Sequence, residues 1–192
     1  MAISARAQAV LDFWRELGPA GWYVGSDDLD ADIRARFETD WNAARAGGLG
    51  SWLSCPEGML AYLLLTDQFP RNMFRGQGQA FATDARARHV AAMAWQNGRD
   101  LKIDGAIRQF FYLPLMHSEN PFDQDRCVAL FLARMPDRGG QNTLHARAHR
   151  EIIRRYRRFP FRNAALGRQT TPAEAAFITA GGYGAIVQSL SA

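Results

Sequence analysis

Residues 57–77 read EGMLAYLLLTDQFPRNMFRGQ. The first half is apolar nearly all round, so as a helix it needs neighbours on every side and belongs at the centre of a fold. Just ahead, Ser54-Cys55-Pro56-Glu57 has the spacing of a capping box with proline in the first turn. Pro70 has no N–H and its ring collides with the carbonyl four residues back, so the helix is expected to stop there. The residue before a proline is pushed out of the α region. Phe69 is therefore expected to be extended, its ring plugging the core, with Arg71-Asn72 in an irregular segment beyond.

The flanking sequence is helical in period. Val10, Phe13, Trp14 and Leu17 form one apolar face, ended by Gly18-Pro19. Leu29, Ile33, Phe37 and Trp41 recur every four residues, after an acidic start suited to a helix N-terminus and before Gly47-Gly48. Thr83 is expected to cap a helix closed by Gly98, and another covers 105–113, with Pro114 bending or ending it. Asn120-Pro121 opens a helix that Pro136 ends. Residues 137–142 (DRGGQN) read as a loop before a helix over 143–158, and Thr171-Pro172-Ala173-Glu174 is a second capping box. No stretch alternates as a strand does. The expectation is an all-α chain of about eight helices in stacked antiparallel hairpins, one domain over residues 1–192, with room for two unequal halves.

Residues 158–169 read RFPFRNAALGRQ and echo the first turn: Phe-Pro, then Arg-Asn, then Gly and Gln. Phe159 is expected to be extended for the same reason as Phe69. A repeated helix–turn–helix unit is what stacked αα folds contain. The echo spans a dozen residues, so duplication and coincidence both stay open.

Composition narrows the class. The chain has 192 residues, 47% apolar and 22% charged, with a formal net charge of +4, which argues for a folded domain and against disorder. Lys102 is the single lysine; the arginines supply planar forks suited to carboxylate or phosphate. Cys55 and Cys127 fit no metal or disulfide spacing, so reduced thiols, a cytoplasmic setting and no cofactor are expected. No apolar run approaches a membrane span, so no membrane partner is expected.

Three stretches then carry a family resemblance: LLLTDQFPRNMFRGQGQAFATDARA, FFYLPLMHSENPFDQDR and HREIIRRYRRFPFRNAALGRQTTPAE, with VLDFW and DADIRARF towards the N-terminus. In this order the chain resembles the bacterial family labelled domain of unknown function 924, over roughly residues 10–177. The matching positions are Asp67, Gln68, Phe69, Pro70, Arg71, Asn72 and Arg75; His117, Ser118, Glu119 and Gln124; and His149, Phe159, Pro160, Arg162, Asn163, Gly167 and Arg168. Thr66 departs from the pattern, standing where an apolar residue is usual, and so does Asn120-Pro121 after His-Ser-Glu. The resemblance implies an all-α fold similar to a right-handed tetratricopeptide (TPR-like) array. It implies no activity.

The polar residues have structural and functional readings. Asp67 would sit at the unfavourable end of a helix dipole, at a cost of about 0.3–1 kcal/mol. Arg71, Arg75, Arg162 and Arg168 are the candidates to offset it. His117-Ser118-Glu119 supplies residue types suited to proton transfer, without a nucleophile elbow. His145 and His149 share a helix face at metal-ligand spacing but lack the His-Glu-x-x-His form, so no metal is expected. The run RRYRR at 154–158 reads as a solvated helix end complementing the dipole, and nucleic acid is not expected as a partner.

The leading reading is a helical-repeat module that binds an anionic small molecule or acidic peptide in a groove between the two Phe-Pro turns. Arg71, Arg162 and Arg168 would grip the anion. Gln68, Asn72, Gln124 and Asn163 would orient it, and Asp67 would hold the arginines. The rival is an enzyme, a hydrolase or lyase, with His117 or His149 as proton donor and Glu119 as its partner. The third is a structural or oligomerising protein whose polar motifs are interhelix clamps.

Overall fold

The computed structural model describes residues 3–136 and 140–191. Among these the chain is all-α: ten α-helices with short 3₁₀ and π turns and no strand. It divides into two compact units, Met1–Pro114 and Leu115–Ala192.

The first unit contains α1 (Ala5–Gly21), α2 (Asp27–Arg45), α3 (Pro56–Leu63), α4 (Phe69–Met73) and α5 (Asp84–Gln96). Helix α1 departs from helical geometry at Gly18 (φ 66°), where Gly-Pro was expected to act. Helix α2 ends in a Schellman turn: Gly48 N–H bonds the Ala43 carbonyl and Gly47 N–H that of Ala44. Gly47 takes the left-handed φ of 94° this turn requires. The apolar faces read from the sequence are largely inside: Val10, Trp14, Ile33, Phe37 and Trp41 are each at most 1% exposed, while Leu17 and Leu29 are half-buried.

The central helix does not stop at Pro70. A π turn, Leu64–Gln68, follows α3 directly, and Phe69 is helical (φ −58°, ψ −38°), not extended. In an α-helix, Pro70 would leave the Thr66 carbonyl without its donor. Here the Thr83 hydroxyl donates to that carbonyl at 2.6 Å, and Phe69 N–H reaches back five residues to Leu64. The widened turn absorbs the proline and the chain runs on as α4. Thr83 is thus diverted from capping α5, and makes no side-chain cap bond there. Nor does Ser54 cap α3: Cys55 occupies that position, without a side-chain bond. Phe69 plugs the core as expected, fully buried among Phe13, Trp14 and Phe37 with centroids 4.9–5.9 Å away.

The segment 105–113 is mostly a 3₁₀ turn, Ala106–Phe111, leading into α6 (Leu113–Met116). Tyr112 N–H bonds Gln109 three residues back, and Pro114 is the second residue of α6, where a helix N–H has no intrahelical acceptor, so it opens a turn instead of ending one.

The second unit contains α7 (Pro121–Arg134), α8 (Gly140–Tyr156), a 3₁₀ turn Pro160–Arg162, α9 (Pro172–Thr179) and α10 (Gly182–Ser191). Asn120 caps α7, accepting from Phe122 N–H at 2.9 Å. Of the expected loop 137–142, residues 140–142 already belong to α8, and 137–139 lie outside the described residues. The Thr171–Glu174 capping box is complete, with both reciprocal bonds present. Helix α8 packs against α7 and α10 over a core of Ala148, Ile152, Ile153, Phe159, Phe177 and Ile186. Here Phe159 is extended (φ −90°, ψ 106°), as the following proline demands. Arg157, in the left-handed region at φ 63°, ends α8 just before it.

Candidate functional site

In the first unit the motif residues hold one another. Asp67, 1% exposed, lies in the π turn inside a continuing helix, so it faces no helix terminus. Arg71 bonds Asp67 at 3.0 Å and Asp84 at 3.1 Å, tying the π turn to the start of α5. Burial alone would lower the Arg71 pKa, but the two carboxylates outweigh it and raise it. Gln68 donates to the second Asp67 oxygen. Asn72 donates to Asp30 at 2.8 Å, and Arg75 grips the same carboxylate at 2.7 and 2.9 Å, clamping α4 to α2.

The second unit holds a comparable clamp. Glu119 accepts Arg168 through both oxygens, at 2.8 and 3.0 Å, and also accepts Phe159 N–H at 2.8 Å. Arg168 donates onward to the Phe159 carbonyl at 3.1 Å and to Asn163 at 3.0 Å. Burial would raise the Glu119 pKa; Arg168 and the Phe159 amide overcome this and hold it below the usual carboxylate value. Asn163 also donates to Glu174 and Thr170 at 3.3 Å each. The Arg158 hydrogen bond and the Thr171 amide pull Glu174 down to about 2. Gln124 is fully buried and its amide nitrogen donates to backbone carbonyls of Leu115, Met116 and Ser118, closing the turn that carries His117; its oxygen has no hydrogen-bond partner among the described residues.

Beside this clamp lies a different kind of cluster. His149 on α8 packs edge-on against Phe159 (5.4 Å), Tyr183 of α10 (4.9 Å) and His117 (6.3 Å). Its Nδ1 is 2.9 Å from the His145 carbonyl, an acceptor, so Nδ1 carries the proton and the lone pair is on Nε2. Burial, reinforced by the charges of His117 and Arg162, pushes the His149 pKa down to about 3. His145 stacks on Tyr183 and bonds its hydroxyl at 2.5 Å; burial pushes Tyr183 up to about 12. Arg162 is 8% exposed and lies over the Phe159 ring at 4.5 Å. Tyr183 belongs to the tail GGYGAIVQSLSA, which no motif marked; an aromatic after two glycines was its one sequence signal.

Of the residues expected at one site, the second unit brings together His117, His149 and Arg162, with Glu119, Gln124, Asn163 and Arg168 as their supporting frame. Asp67, Gln68, Arg71 and Asn72 form a network of their own in the first unit. Among the described residues no group of three or more His, Cys, Asp or Glu is arranged to hold a metal, and no helix is long and apolar enough to cross a membrane.

The motif positions held in these two networks belong to a recognised pattern. The model of a family described as bacterial proteins of unknown function (DUF924) matches residues 10–182. The chain belongs to this family. It is similar to the solved structure of a protein of unknown function from Agrobacterium tumefaciens, at 40% identity and a TM-score of 0.85, covering 91% of this chain and 97% of that one. No curated protein matches. In this DUF924 chain Thr66, a departure from the expected motif, has a local role: its hydroxyl donates to the Tyr62 carbonyl at 2.7 Å beside the π turn.

Proposed function

We propose that the protein is a binding module for a small hydroxylated anion, taken up at His149, Arg162, His117 and Tyr183. The observation that carries this reading is His149 fixed as a neutral imidazole, its lone pair on Nε2, beside the Arg162 guanidinium. A guanidinium attracts a carboxylate or phosphate. A neutral imidazole nitrogen accepts a hydroxyl. Together they fit a ligand with both groups, such as a hydroxy acid or a phosphorylated polyol. Charge supports the same preference: residues 115–192 hold eleven arginines against six acidic residues, whereas residues 1–114 hold twelve basic against thirteen acidic. The packing of α8 between α7 and α10 supports a TPR-like scaffold for the site.

Binding is favoured over catalysis by two features. A base of pKa about 3 is far from matched to proton transfer near neutral pH. Glu119, the expected catalytic partner, is committed to Arg168 and Phe159. A thermal-shift panel tests the reading, pairing glycolate with acetate and glycerol phosphate with inorganic phosphate. The hydroxylated member of each pair is expected to raise Tm more, and the rise to vanish in Arg162→Gln and His149→Phe. Equal shifts within each pair, or a rise that survives Arg162→Gln, would overturn it.

A further inference from the structure

The first unit has a cleft lined by none of the matching motif positions named above. It lies between the Gly47–Gly50 loop and α5, has a volume of about 340 Å³, and is floored by Leu53, Val90 and the Tyr62 ring. Tyr62 and Val90 are nearly fully buried, at 4% and 3% exposure, so the floor is firm. Arg86 and His89, three residues apart on α5 and therefore on one helix face, both line the cleft and are exposed.

Among the described residues Arg86, like Arg45 and Arg99 but unlike others in this unit, is not held by a carboxylate. Arg71, Arg75 and Arg108 in this unit each pair with a carboxylate. Arg86 has no carboxylate partner among the described residues; its charge acts on the Tyr62 hydroxyl, lowering that group's pKa against the larger effect of burial, which raises it. Among the described residues no acidic one lines the cleft. The opposite wall is glycine: Gly47 needs its left-handed turn, and a side chain on Gly50 would meet nothing within 4 Å, so this wall is bare backbone. An apolar floor with one convergent cationic head is the usual composition of a small-molecule site.

We propose that this cleft binds a compact amphipathic anion: an apolar body seated on Leu53, Val90 and Tyr62, with one carboxylate or phosphate held by Arg86 and His89. The site shares no residue with the His149 cluster, and each stands or falls separately.

The test is an NMR titration of the His89 ring signals in the intact protein, with benzoate and phenyl phosphate as probes and inorganic phosphate as the comparison. Saturable His89 shifts are expected with both aromatic probes, at least about tenfold tighter than with inorganic phosphate, and weakened about tenfold or more in Arg86→Gln. Arg86 is exposed, so that variant should fold. Gly50→Leu, which fills the open wall, should block the aromatic probes while leaving Arg86 in place. Arg162→Gln should change nothing at His89. No saturation, equal binding in Arg86→Gln, or inorganic phosphate binding as tightly as the aromatic probes would overturn the proposal.

Discussion

The two Phe-Pro turns share letters and differ in backbone, and the difference lies in where each proline's cost is met. At Pro70 the cost is one orphaned helix carbonyl, and a single hydroxyl, that of Thr83, meets it. The chain therefore stays helical and Phe69 enters the core from a helix. At Pro160 the helix has already ended at Arg157, and Phe159 is extended, which exposes both its backbone groups. Glu119 takes its N–H and Arg168 takes its carbonyl, so one ion pair brackets one residue. The same tetrad of residue types is compatible with a continued helix or a broken one. The partner supplied from elsewhere decides.

The rings should be alike where the backbones differ. Phe69 and Phe159 are both fully buried, so Phe69→Ala and Phe159→Ala are each expected to lose about 3–5 kcal/mol by chemical denaturation. A loss below about 1 kcal/mol at either would remove that ring from the core account.

The partners should be separable. Glu119→Gln weakens the bidentate pair and the Phe159 bracket together, with an expected loss of about 2–3 kcal/mol. Thr83→Val keeps the shape but orphans both the Thr66 carbonyl and the Trp41 indole N–H that Thr83 accepts, with an expected loss of about 1–3 kcal/mol, whereas Thr83→Ser should recover most of it. If Thr83→Val is neutral, the π turn does not depend on that hydroxyl.

The fold was legible in the sequence because helical periodicity and proline punctuation are local signals. The faces Val10–Leu17 and Ile33–Trp41, the Asn120 cap and the Thr171 box all follow from residues within one or two turns of each other. The course past Pro70 was not legible, because its decisive partner, Thr83, lies seventeen residues away and resembles an ordinary helix cap. The single hint was Thr66, polar where the family pattern is apolar. The same limit applied to the site. Asp67–Arg71 is an i, i+4 pair and was among the candidates, but Asn72–Asp30 and Glu119–Arg168 join distant segments. Tyr183 was missed because a lone aromatic in a short tail carries no spacing that points to His145 or His149.

At neutral pH the smallest effect in this set belongs to His149, and it grows with acid. Its folded pKa, about 3, lies below the ordinary 6.5, so the unfolded chain binds the extra proton between those values. That contribution to stability is complete above about pH 6.5 and is lost progressively as pH falls towards 3. His149→Phe should flatten the stability profile over that window, with the change at Glu174, whose window lies below its ordinary 4.5, left in place. An unchanged slope between pH 4 and 6.5 would mean His149 is not held neutral by burial.

The doubled Arg-Asn gives a contrast of surroundings: Arg71 bonds Asp67 and Asp84, while Arg162 lies over Phe159, beside His149, with its charge also acting on Glu119. The most direct measurement is the ligand-induced change in Tm, with glycerol phosphate and glycolate, in Arg71→Gln and Arg162→Gln side by side. Arg71→Gln is expected to start from a lower Tm but keep the ligand-induced rise, and Arg162→Gln to show no rise. A rise lost in Arg71→Gln and kept in Arg162→Gln would contradict that expectation.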